Sequence, residues 1–123
     1  MDQKNFKQYK LQSINTMTQG EMLITLYDEL IKRLKQAELA LEDDDKDVYQ
    51  DCIARSVRII QYLKNTLRRE FEISRNLNAL YDYFIYELGR ASARRNEEII
   101  GEVRSFAQEL RDSFRQASRL AEF

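Results

Sequence analysis

Two aspartates stand where carboxylate chemistry could be built. Asp28 and Asp82 each close a Leu-Tyr-Asp triplet, at Leu26-Tyr27-Asp28 and Leu80-Tyr81-Asp82. Two carboxylates held together push one pKa up and the other down, and so can divide general acid and general base roles between them. The partners such chemistry usually needs are missing. The 123 residues include no histidine, which removes the Glu-x-x-His pairs of di-iron bundles, histidine-dependent triads and the ordinary proton carrier near neutral pH. There is no glycine-rich phosphate loop and no paired-cysteine zinc spacing. The single cysteine, Cys52, cannot form an internal disulfide and reads as a small buried hydrophobe, in keeping with a reducing compartment. Each aspartate follows an apolar-face tyrosine by one residue and so turns away from the core. Both are expected to be solvated or to cap, and a carboxylate enzyme would need an inward-facing acidic pair that the pattern does not show. The expectation is no catalysis, no cofactor and no metal.

The elements carrying these triplets are helices. Aligning the two copies matches Leu23 with Leu77, Ile31 with Ile85, Leu34 with Leu88 and Ala37 with Ala91 as well as the triplets, seven identities in fifteen residues. Either an internal repeat or two amphipathic helices solving one packing problem would produce such a match. Composition points the same way, with no proline, three glycines and 33% charged residues. Length allows a single domain with one core. Lys+Arg 20 against Asp+Glu 21 gives a net charge of -1, no global field for nucleic acid or an anionic membrane. No apolar run approaches the ~20 residues of a membrane span, and the polar start lacks the apolar stretch of a signal peptide. No membrane insertion and a cytoplasmic location are expected.

Thr18 followed by Glu21 forms a capping box that predicts the start of the first helix, with a seam at Leu23, Tyr27, Leu30, Leu34, Ala37 and Leu41. The acidic run Glu42-Asp43-Asp44-Asp45 suits the start of a second helix, capped by Asp44 or Asp45, with a seam at Tyr49, Ile53, Ser56, Ile60, Leu63 and Leu67. A change of phase near Glu70 to Ile73 opens a third, with a seam at Ile73, Leu77, Tyr81, Phe84, Leu88 and Ala91. Asn96 caps a fourth, whose seam runs Ile100, Val103, Ala107, Leu110, Phe114, Ala117 and Ala121. Short connections make neighbours antiparallel, so the expected fold is an all-α, up-down-up-down four-helix bundle over residues 18–123 with an N-terminal arm over 1–17.

Binding is left as the function, and the useful residues are those the core does not need. With ~100° per residue, Tyr62 points about 130° away from the second helix's seam, and Tyr83 and Tyr86 point outward on the third. Tyr62 and Tyr83 fall within roughly one helical turn of each other in height across an antiparallel pair, which predicts a shared aromatic patch. Ile24 and Ile31 on the first helix, Ile59 on the second and Ile85 on the third widen the apolar stripe, as either a groove for a partner helix or an ordinary core would. A row of arginines on the fourth helix, Arg104, Arg111, Arg115 and Arg119, is diluted by Glu102, Glu109 and Asp112 and lacks companion aromatics, so no nucleic-acid partner is expected.

The order and spacing of several short motifs resemble the flagellar secretion chaperones of the FliS family. They are Tyr9-Lys10, Ser13-Ile14-Asn15-Thr16-Met17-Thr18, Glu21-Met22-Leu23, both Leu-Tyr-Asp triplets, Glu72-Ile73-Ser74-Arg75-Asn76-Leu77 and Glu102-Val103. Three departures from the family pattern are Thr18-Gln19 in place of Ser-Pro, Glu29 in place of a glycine, and the lack of Gly-Gly near Glu70-Phe71. The resemblance implies a cytoplasmic export chaperone that binds the C-terminal segment of flagellin, blocks premature polymerisation and delivers the subunit to type III export in flagellum assembly. Flagellar export or assembly factors are the further partners it implies. By the same resemblance Tyr9, Ile14 and Met17 on the arm would cover part of the groove in competition with the client. The competing expectation is a self-associating helical adaptor or structural bundle without a flagellin client.

Overall fold

The computed structural model describes residues 18–121, with side chains described through residue 117. The expected arm over 1–17, with Tyr9, Ile14 and Met17, and the seam position Ala121 at the other end lie outside the described residues or side chains. Among the described residues there are four helices: α1 (Gln19–Glu42), α2 (Lys46–Asn65), α3 (Glu72–Arg94) and α4 (Glu97–Ala121). None of them is long and apolar enough to cross a membrane.

Three starts carry the side-chain caps their sequences suggest. The Thr18 hydroxyl accepts from the Glu21 N–H at 3.1 Å, the Asp45 carboxylate from the Val48 N–H at 3.2 Å, and the Asn96 amide oxygen from the Ile99 N–H at 3.3 Å. Each satisfies a donor that the first helical turn leaves unpaired. α3 differs, since its N-cap residue is Phe71 and makes no side-chain cap bond. The first turn of α3 is tied down instead by Ser74, whose hydroxyl donates to the Arg68 carbonyl at 2.5 Å.

α1 packs against α2 and α4, and α3 completes the bundle against the same two helices. Bonds between helices run in opposite sequence order. Along α1, Asp28 meets Arg111 and Glu38 meets Arg104; along α3, Asp82 meets Lys64 and Ala91 meets Tyr49. α1 and α4 are therefore antiparallel, as are α2 and α3. The α1–α2 and α3–α4 turns lie at one end, where Arg95 reaches Asp44 at 3.0 Å. Both residues take the left-handed backbone conformation, Asp44 with φ 53° and Arg95 with φ 46°.

The core follows the expected seams with three corrections. Ile31, expected on an accessible flank, is only 3% exposed. α1 is gripped from both sides, so its buried arc widens to take in Ile31 and Ala40 beside Tyr27, Leu30, Leu34 and Ala37. Ile73 is 59% exposed rather than inward. Two successive steps of four residues back from Tyr81 rotate it about 80° off the seam, and Ser74 takes the inward position instead. Ala117 is exposed by a similar drift along the last turns of α4. Cys52 is buried, as expected, with burial pushing its thiol pKa up.

Candidate functional site

The central polar contact of the bundle joins the two Leu-Tyr-Asp triplets. Tyr27 and Tyr81, both fully enclosed, come from diagonally opposite helices and share a hydrogen bond between their hydroxyls. Burial raises both pKa values, so both phenols stay neutral. The aspartates that follow them go separate ways. Asp28 accepts from Arg111 at 3.1 Å and lies 3.7 Å from Arg115 on α4, whereas Asp82 takes Lys64 of α2 at 2.6 Å. The carboxylate pair that acid–base chemistry would need is not assembled. Among the described residues, no group of three His, Cys, Asp or Glu comes together to hold a metal ion.

The arginine row on α4 is largely neutralised from α1. Arg104 forks onto Glu38 at 2.5 and 3.3 Å, and Arg111 is shared between Asp28 and Asp112. Guanidiniums fixed in this way join two helices, and a phosphate backbone would have to displace their carboxylates.

Just beyond the tyrosine pair the bundle opens. An apolar groove of about 320 Å³ lies at the end that holds the start of α1, the end of α2 and the start of α3. Leu23 and Leu26 form one wall, Tyr62 and Leu67 the other, and Phe71 and Leu77 close it, with Tyr81 and Phe114 beneath. The Phe114 ring sits 5.7 Å from that of Tyr27, so the floor is continuous with the core. Tyr62, 47% exposed, and Phe71, 53% exposed, stand at the rim.

The three outward tyrosines do not share one patch. Tyr62 belongs to this groove, while Tyr83 lines a separate hollow of about 270 Å³ between α3 and α4, beside Phe106, Glu87 and Glu109. Tyr86 is the most exposed ring, at 66%. Similar height on two adjacent helices does not bring two side chains together when each turns toward a different third helix. Ile24 is half-buried, and Ile59 and Ile85 are half-buried against the core. The groove residues missed from sequence were Leu23, Leu67, Leu77 and Phe114, which read as seam, Phe71, which read as turn, and Leu26, which read only as part of its triplet. Their signal was large apolar residues gathered at the same end of all four seams.

A family model described as "Flagellar protein FliS" matches residues 2–121. The chain is 32% identical to the flagellar secretion chaperone FliS of Bacillus subtilis (strain 168), over 94% of this chain and 86% of that protein. It is 29% identical to the protein of the same name from Salmonella typhimurium, over 98% and 92% of the two chains. The Escherichia coli (strain K12) flagellar secretion chaperone FliS is 23% identical over 85% of this chain and 79% of that one.

Proposed function

The chain belongs to the flagellar protein FliS family, and on that premise we propose that it is a cytoplasmic, non-enzymatic export chaperone whose client is the C-terminal segment of flagellin. It holds that segment as apolar helices on the bundle surface, prevents premature polymerisation and presents the subunit for type III export. The observation that supports this reading is the open apolar groove between α1, α2 and α3. Large apolar and aromatic residues kept at a half-exposed rim lose free energy in water and regain it when a partner's apolar face covers them. A disordered client contributes its own ordering cost, which that burial must offset, whereas the bundle is already formed. Tyr62 is the central contact, with Ile24, Ile59, Tyr83, Ile85 and Tyr86 along the client's further path. The arm, through Tyr9, Ile14 and Met17, competes for the same groove, and export or assembly factors are further partners.

Calorimetric titration with the C-terminal segment of the flagellin encoded in the same genome tests the reading. Saturable binding at micromolar concentrations is expected, and its absence would sink the proposal. Tyr62→Ala together with Tyr86→Ala should weaken binding by at least about 1 kcal/mol, as truncation of interface tyrosines does, without lowering the melting temperature. Unchanged affinity would move the client off this face.

A further inference from the structure

The apolar groove continues past Leu67 and Ser74. These two residues also line a second hollow, of about 360 Å³, whose remaining walls include Lys64, Arg69, Arg75 and Asn78. The Lys64 charge is met by Asp82 at 2.6 Å. Arg69 and Arg75 are both exposed, and among the described residues neither guanidinium has a hydrogen-bond or ion-pair partner. Glu70 and Glu72 lie in the same stretch of chain but do not line the hollow.

Arg75 closes the first turn of α3, where the positive end of the helix dipole disfavours a cation. Phe71 supplies no side-chain acceptor to that helix start, and Glu72 is the acid in its first turn. A sequence chosen for this helix alone would place a side-chain acceptor at the cap and no arginine in the first turn; this one has Phe71 at the cap and Arg75 beside the apolar groove, with only Glu72 to favour the helix start. A carboxylate in the hollow would be met by the two guanidiniums, and an ammonium would be repelled.

We infer that this hollow is a carboxylate subsite of the groove. It takes an acidic side chain carried on the flank of the client helix whose apolar face fills the groove. The inference rests on the proposed reading of that groove as the client site. The α3–α4 hollow, walled by Glu87, Glu102 and Glu109, has the opposite sign and rejects the same acid. The pair of hollows therefore sets the direction in which an asymmetrically charged segment lies across the bundle, a task to which charge is better suited than apolar contact.

The test is a fluorescence-anisotropy titration of the labelled flagellin C-terminal segment against the full chain and against the Arg69→Gln, Arg75→Gln variant, at low and high salt. The variant is expected to bind about fivefold more weakly at low salt, the size of two exposed charge contacts, with the gap closing at high salt. Changing the segment's Asp and Glu to Asn and Gln should cause the same loss with the natural chain and no further loss with the variant. Equal affinity of variant and natural chain, alongside weakened binding by Tyr62→Ala, would overturn the subsite and leave the groove reading standing. A loss caused by amidating the segment's C-terminus, and not by the side-chain changes, would overturn the assignment to a side chain in favour of the terminal carboxylate. Failure of the natural chain to bind the segment at all would overturn the groove reading and this inference with it.

Discussion

The hydroxyls of Tyr27 and Tyr81 meet at the centre of the bundle, and that contact accounts for a tyrosine at each position. A buried phenol without a partner is costly, and here each is the other's partner. Tyr81→Phe alone would strand the Tyr27 hydroxyl and is expected to cost about 1–3 kcal/mol, whereas Tyr27→Phe with Tyr81→Phe removes both polar groups and should lie closer to the natural chain. Denaturant melts of the two single variants and the double variant would measure this non-additivity. The pH dependence has a definite sign. Burial raises both pKa values above the ordinary tyrosine value of 10.0, so above about pH 10 the unfolded chain has lost protons that the folded chain retains. Stability is therefore intact below that pH and falls as pH rises through and beyond it. The double phenylalanine variant should show a shallower fall in melting temperature above pH 10, though not a flat one, because Tyr49 is also buried and raised. Equal slopes would contradict a buried, neutral pair.

The helix starts differ in how they are capped. Thr18, Asp45 and Asn96 cap their helices through side-chain oxygens, while α3 begins at Phe71 with none. The extended backbone at Phe71, φ -97° and ψ 137°, is already suited to a capping residue. Phe71→Asp is expected to stabilise the fold by up to about 1 kcal/mol. The same change removes an aromatic ring from the groove rim and sets a carboxylate near Arg69 and Arg75, so client binding should weaken. A raised melting temperature with unchanged calorimetric affinity would show that Phe71 is not a client contact. Opposite movement of stability and binding is what a site held in a locally unfavourable sequence should give.

At the scale of the whole molecule, the ion pairs are unevenly distributed. Glu38–Arg104 and Asp28–Arg111 join α1 to α4, and Lys64–Asp82 joins α2 to α3. The apolar groove opens at the end where α1 begins, and Gln19, next to the Thr18 cap, lines it. If the proposed arm competes for the groove, it does so as an intramolecular partner, at high effective concentration. Deleting residues 1–15 is expected to tighten binding of the flagellin segment, by the factor set by the fraction of molecules whose groove the arm covers. Titration of the shortened chain checks this, and a looser complex would show that the arm clamps the client instead. A dimer that persisted when the segment was added, measured by light scattering after size exclusion, would favour the self-associating adaptor.

Four helices, three of their caps and the outward stance of Tyr62, Tyr83 and Tyr86 were legible in the sequence. Cap chemistry and the 3.6-residue period are local, so they determine where a helix starts and which way each side chain leaves its own axis. Tertiary structure alone decided which other helices each side chain would meet. It buried Ile31, because α1 is gripped on two sides, whereas the exposure of Ile73 was already in the local period, which two steps of four carry off the seam. It sent Tyr62 and Tyr83 to different grooves and closed the two Leu-Tyr-Asp motifs on each other through their phenols. It also set Arg69 and Arg75, unpaired among the described residues, beside an apolar groove, a juxtaposition across a helix turn that the period of neither helix encodes.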